Sequence, residues 1–156
     1  MGAQRRPRRD AEANRQRLLA AAASAILREG RNVPLATIAA EAGVGIGTLY
    51  RSYPDRDALL RALVHRAYGL LNDILDEIED QGRSGLDAIE QYLVDACAIN
   101  DQLFLPLHGA PPLITSEAVQ ARQSINERLD NFIETGRSDG TIRAPVNATD
   151  LTYSPP

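Results

Sequence analysis

The sequence predicts an all-α fold in which a three-helix head of helix-turn-helix proportions precedes a helical bundle. Three observations predict it. Apolar residues recur three and four positions apart along most of the chain, and no run of β-branched residues alternates with the period of two that a half-buried strand needs. Glycine and proline fall at the ends of these runs, at Gly30, Pro34, Gly43, Pro54 and Gly82. Charge is unevenly divided: residues 1–60 hold ten arginines against six acidic residues, and residues 61–156 hold seven against fifteen, within a net charge of −4. A basic first third on an acidic chain is the electrostatic footprint of nucleic-acid binding.

Length and composition exclude other classes. A chain of 156 residues with 44% hydrophobic and 24% charged side chains can bury a core without staples, as one domain or as two small helical units. Cys97 is the only cysteine, so neither an intramolecular disulfide nor a multi-cysteine metal centre can form, which fits a reducing cytoplasm. No apolar run reaches the roughly 18 residues of a membrane span, and the opening MGAQRRPRRD lacks the apolar stretch of a signal peptide. A cytoplasmic protein without membrane contact is expected. All 17 basic residues are arginine, which we attribute to compositional bias.

Residues 1–10, with Arg5, Arg6, Arg8 and Arg9 and few apolar groups, are predicted to be a disordered basic arm. Leu18, Leu19, Ala22, Ala23, Ile26 and Leu27 predict a first helix over about 11–29, closed by Gly30. Pro34 opens a short helix over 35–42, buried through Leu35, Ile38, Ala39 and Ala42, and Gly43 ends it. A further short helix covers 46–52 with Leu49 inward. Pro54 and Asp55 start a long helix to about Asp80, whose stripe from Leu59 to Ile78 can join the head to the bundle.

After a break at 81–83, Ser84 and Asp87 read as a capping-box variant for a helix to about Asn100, with Leu86, Ile89, Leu93 and Ala96 inward. A short helix is predicted at about 101–107, ahead of Pro111 and Pro112. Thr115 or Ser116 caps a helix to about Thr135, with Ala118, Ile125, Leu129, Phe132 and Ile133 inward and Gly136 as its stop. Residues 137–148 turn around Asp139 and Gly140. The predicted organisation is thus a basic arm over 1–10, a head over 11–54, a helical body over 55–148, and at 149–156 the start of a helix interrupted by Pro155 and Pro156.

The informative segment is 35–53. Two short helices joined by Ala42, Gly43 and Val44 have the proportions of a helix-turn-helix, in which the second helix enters a major groove. Small residues at Ala39 and Ala42 let the helices approach, and Ile38, Val44 and Leu49 form the plug between them. Packing alone, as a helical hairpin, is the competing explanation. The run Gly43-Val44-Gly45-Ile46-Gly47 has neither a preceding strand nor a following lysine, so a nucleotide-binding loop is not expected. His65, Cys97 and His108 lie far apart and predict no metal site, and no paired carboxylates or activated nucleophile suggest an enzyme. No cofactor is expected.

The run LATIAAEAGVGIGTLYRSYPDRDALLRAL over 35–63, preceded by RLLAAAASAILREG over 17–30, resembles the DNA-binding domain of the TetR (tetracycline repressor) family of bacterial transcriptional regulators. The match includes Ile38-Ala39, Ala42-Gly43-Val44, Gly47-Thr48-Leu49-Tyr50 and Tyr53-Pro54. The resemblance implies a sequence-specific regulator, a ligand-responsive repressor, that binds a palindromic double-stranded DNA operator. It implies DNA contacts from Thr37, Gly45, Ile46, Gly47, Thr48, Tyr50, Arg51, Tyr53 and Arg56. Thr48, Tyr50 and Tyr53 would place hydroxyls near phosphates, and Thr37 and Arg56 would add phosphate contacts. Arg51 would face guanine or phosphate, Ile46 a thymine methyl, and Gly45 and Gly47 would allow close backbone approach.

The body resembles the family's ligand-binding and dimerisation domain in character only. Tyr92, Cys97, Asn100, Phe104 and His108 are the candidates for lining a pocket for an unidentified small-molecule effector. A homodimer is implied by the family, yet the expected last two helices that build its interface are lacking here, so the chain reads as truncated. The alternative is a helical small-molecule or protein-binding module that has lost DNA binding through that truncation.

Overall fold

The computed structural model describes residues 5–103, 115–143 and 145–152. Among these the regular elements are α1 (Arg5–Glu29), α2 (Leu35–Ala42), α3 (Ile46–Ser52), α4 (Arg56–Asp80), α5 (Gly85–Ala98), a 3-10 turn (Asn100–Gln102), α6 (Ser116–Ser138) and α7 (Ala148–Thr152). The fold is all-α, as predicted. The chain divides into two units, Met1–Arg66 with Asp101–Leu105, and Ala67–Asn100 with Pro106–Pro156. No described helix is long and apolar enough to cross a membrane.

In the first unit, Leu18, Leu19, Ala22, Ala23 and Ile26 of α1 are buried along with Ile38 and Ala39 of α2, Leu49 of α3, and Leu59, Leu60, Leu63 and Val64 of α4. Burying each large aliphatic side chain contributes about 1.5–3 kcal/mol, so this cluster dominates the stability of the head. Leu27 was expected in the stripe but is 59% exposed. It sits about 100° around the helix from Ile26, beyond the edge of the buried stripe that ends with Ala25 and Ile26. Arg28 forms ion pairs with Glu29 and with Glu41, tying the end of α1 to α2.

α1 corrects the prediction of a disordered arm, because the helix begins at Arg5. Arginine and alanine are strong helix formers, and Pro7 falls in the first turn, where its missing N–H has no helical partner to lose. Further along α1, Glu12 pairs with Arg15 at 2.8 Å and accepts the Gln16 side-chain amide at 2.9 Å, both one helical turn away. Apolar periodicity alone could not reveal this part of the helix, whose residues 8–13 are exposed.

In the second unit, Ala67, Tyr68, Leu71, Leu75 and Ile78 of α4, Ala88, Ile89 and Tyr92 of α5, and Ile125, Leu129, Phe132 and Ile133 of α6 are buried. Thr115 caps α6 as expected, its Oγ1 accepting the Ala118 amide at 3.1 Å. Ser84 stands at the N-cap of α5 but its side chain makes no capping bond. Asp87 pairs instead with Arg83 at 2.9 Å, so the predicted capping box does not form. Leu93, expected inward, is exposed.

Gly136 does not stop its helix. α6 continues to Ser138, and Gly136 is buried inside it. A Cβ at this position would lie 2.5 Å from Ile142 Cδ1 and 3.3 Å from the Leu86 amide nitrogen. Glycine is therefore required by close approach of the start of α5 and of the chain returning after Gly140, not by a left-handed turn. Arg128 joins α6 to α4: its guanidinium donates to Asp76 at 2.7 Å, to Glu79 at 2.9 Å and to the Asn72 side chain at 3.2 Å.

Of the helix predicted at about 101–107, a 3-10 turn at Asn100–Gln102 is observed, Leu103 follows it outside any helix, and residues 104–107 lie outside the described residues. α7 begins at Ala148, where Asn147 and Asp150 cap each other: Asp150 Oδ2 accepts the Asn147 amide at 2.9 Å and Asn147 Oδ1 accepts the Asp150 amide at 3.2 Å.

Candidate nucleic-acid interface

The predicted motif forms as read, with α2 and α3 at the expected boundaries. Gly43 ends α2 at φ 68°, a left-handed conformation that favours glycine. The Gly43 amide donates to the Ala40 carbonyl at 3.1 Å and the Val44 amide to the Ala39 carbonyl at 3.0 Å. This paired closure satisfies two carbonyls of the last turn and fixes the direction in which the chain leaves it. Gly45, extended, then opens α3.

Ile38 and Leu49 are fully buried between the two helices, with Val44 half-buried beside them. Leu49 faces in, and Tyr53, which follows α3 and donates its amide to the Leu49 carbonyl at 2.8 Å, is only 7% exposed. The opposite face is left to solvent: Ile46 at 43%, Tyr50 at 48%, and Gly47, Arg51 and Ser52 also exposed. Arg51 donates to Thr48 Oγ1 at 3.2 Å, one turn back along the same helix.

The predicted contact residues therefore separate into two groups. Gly45, Ile46, Gly47, Tyr50 and Arg51 are exposed, and Thr48 on α3 and Thr37 on α2 are half-buried. Tyr53 belongs to the core of the head. Burial pushes its hydroxyl pKa up, against a smaller downward pull from Arg15, with Glu12 raising it further. Arg56 is likewise engaged within the head, donating to the Arg31 carbonyl at 2.8 Å from a part-buried position. It pins the loop between α1 and α2, while Asp55 caps α4 by accepting the Ala58 amide at 2.7 Å.

The five candidates for an effector pocket are not brought together among the described residues. Tyr92 is buried, and burial pushes its hydroxyl pKa up to about 12. Cys97 and Asn100 are exposed. Tyr92 and Cys97 stand five residues apart on α5, about 140° around the helix, so both cannot face one interior. Phe104 and His108 lie outside the described residues. Among the described residues, no group of three or more His, Cys, Asp or Glu side chains could hold a metal ion.

Sequence reading missed Arg66. It is half-buried on α4 and donates to Gln102 Oε1 at 2.9 Å and to Gln16 Oε1 at 3.4 Å, so one guanidinium holds α1 and the 3-10 turn. Burial lowers its pKa. The available signal was its position between Val64 and Ala67 in the apolar stripe, where an arginine needs partners.

With this geometry in place, comparison with known proteins is decisive for the head. Residues 18–63 match the family described as bacterial regulatory proteins, tetR family. The head is a TetR-family domain. HTH-type transcriptional regulators of Staphylococcus aureus strains USA300 and COL are each 32% identical over 100 residues, covering 59% of this chain and 54% of theirs. The chain thus spans about half the length of the relatives it matches. The crystal structure of a TetR transcription regulatory protein from Mycobacterium vanbaalenii superimposes with a TM-score of 0.72 at 26% identity, over 93% of this chain and 88% of that one. A gamma-butyrolactone receptor described as ArpA-like shares the fold, with a TM-score of 0.69 at 19% identity over 91% and 77% of the two chains. The family match thus covers residues 18–63, and the likeness in fold extends over most of the chain.

Proposed function

We propose that the protein is a sequence-specific DNA-binding transcriptional regulator, a ligand-responsive repressor that acts in the cytoplasm as a homodimer on a palindromic operator. The observation that carries this reading is the exposed face of α3. A seven-residue helix is held rigidly by Leu49 and by the closure at Gly43, yet turns Ile46, Gly47, Tyr50 and Arg51 to solvent. Folding alone gives no reason to leave an isoleucine and a tyrosine there, whereas insertion into a major groove does. Gly45 and Gly47 permit close approach, Thr37, Thr48 and Tyr50 offer hydroxyls to phosphates, and Arg51 can reach guanine or phosphate. Tyr53 and Arg56 act through the fold by holding α3 and the loop after α1.

Two copies would place their recognition helices one turn of DNA apart, about 34 Å, which is the reason for expecting a palindrome. A small molecule bound among α4, α5 and α6 would change the operator affinity by favouring one of two arrangements of the α4 helix. The test is footprinting of the DNA upstream of the protein's own gene. A protected palindrome that disappears with Tyr50→Ala or Arg51→Ala, both folded by circular dichroism, is the expected result. Protection that is unchanged in both variants would refute the assignment of α3, and no protection at all on any sequence selected from a random pool would refute DNA binding.

A further inference from the structure

Arg66 and Arg128 are both half-buried and both bridge elements, but their partners differ in kind. Arg128 donates to two carboxylates, Asp76 and Glu79. Arg66 donates instead to two neutral side chains, Gln102 Oε1 at 2.9 Å and Gln16 Oε1 at 3.4 Å. A guanidinium held by amides is released more readily than one held by carboxylates, so Arg128 is a fixed tie and Arg66 a clasp that can open.

The contact does not end at Gln16. Its side-chain amide donates onward to Glu12 Oε1 at 2.9 Å, and Glu12 pairs with Arg15 at 2.8 Å. The Tyr53 hydroxyl, shifted mainly by burial, also feels the charges of Arg15 and Glu12. Tyr53 in turn closes α3 by donating its amide to the Leu49 carbonyl. A polar chain therefore runs from the turn at Asn100–Gln102, which starts two residues beyond α5, through α4 and α1 to the end of the helix assigned to DNA. Gln102 is the link in it that a movement of the chain leaving α5 would break. We infer that Arg66 is a positioning residue for DNA binding: engaged with Gln102 it holds α1 and Tyr53 so that α3 is fixed for its groove, and displacement of Gln102 opens the clasp and weakens operator binding. This inference rests on the DNA-binding reading above.

Replacing Arg66 itself risks unfolding the head, so the experiment acts on its partners. Affinity for the footprinted site is measured by fluorescence anisotropy for the wild type, Gln16→Ala, Gln102→Ala, the double variant and Gln102→Glu, each shown to be folded by thermal melting. Each alanine variant is expected to lose about fivefold, at the low end of couplings between sites. The double variant should lose no more than either single one, because opening the clasp at one end leaves nothing for the other to hold. Gln102→Glu keeps an acceptor for Arg66 and should bind as the wild type does. The salt slope should be the same in all five proteins, since no phosphate contact is removed. Additive losses, wild-type affinity in Gln102→Ala, or equal losses in Gln102→Ala and Gln102→Glu overturn the inference while leaving the DNA-binding reading intact. Failure of the wild type to bind any selected site overturns both.

Discussion

Replacing Gly47 by alanine adds a single methyl group at a position where stability and DNA affinity should move in opposite directions. Gly47 is the second residue of α3, its φ lies outside the left-handed region, and a Cβ there meets no atom within 4 Å. Alanine is favoured over glycine by up to about 1 kcal/mol inside a helix, and near the start of a seven-residue helix roughly half of that is expected. At about 2–4 °C per kcal/mol for a chain of this size, the melting temperature should rise by about 1–2 °C. The same methyl group occupies space that base edges would fill in the complex. Losing one good base contact costs about 1–3 kcal/mol, so operator affinity should fall by about five- to 150-fold. Thermal denaturation and anisotropy titration on one preparation read both quantities. A variant that is less stable would show that position 47 is not open, and a stable variant with unchanged affinity would show that this face of α3 does not meet DNA.

Three further predictions concern the scaffold. Arg128→Ala should destabilise the protein by about 1–2 kcal/mol in denaturant titrations at low salt, because Asp76, Glu79 and Asn72 lose a shared partner; the deficit should shrink at 1 M salt, since both carboxylates are largely exposed. Gly136→Ala should cost about 1–2 kcal/mol despite the gain in helix propensity, through its clash with Ile142 and the Leu86 amide; a second substitution, Ile142→Ala, should relieve part of it. Tyr92 has a folded pKa of about 12 against an ordinary 10.0, so its neutral form is the one the fold favours. Its contribution is complete below pH 10 and lost as pH rises toward 12, and Tyr92→Phe should flatten that part of an alkaline stability profile.

The motif was legible because each of its features has a local cause. Gly43 marks a left-handed closure, Pro34 and Gly45 mark helix starts, and Ile38, Ala39 and Leu49 fall on the spacing that two packed helices require. Features set by tertiary approach were not legible. Gly136 has the signature of a helix stop, yet it is kept by Ile142 folding back across α6. Residues 8–13 of α1 are exposed and carry no apolar stripe, and Leu27 and Leu93 look inward only on a stripe drawn wider than the core. Among the candidate site residues, the exposed face from Ile46 to Arg51 followed from helix periodicity. Tyr53 and Arg56 did not, since whether a tyrosine hydroxyl or an arginine head reaches out depends on partners such as Arg31 that are distant in sequence. The exposure of Cys97 and Asn100 was not legible for a related reason: in a helical bundle a residue facing inward and a residue facing solvent differ by rotation alone.

The most direct test of DNA recognition by α3 is the salt dependence of operator binding, measured by anisotropy for the full chain on its footprinted site and on a scrambled duplex. Each neutralised phosphate contributes about −0.9 to the slope of log K against log salt. The account predicts a slope steeper than about −3 on both duplexes, together with a preference for the operator that Tyr50→Ala removes. A shallow slope, or equal affinity for both duplexes across the salt range, would contradict it.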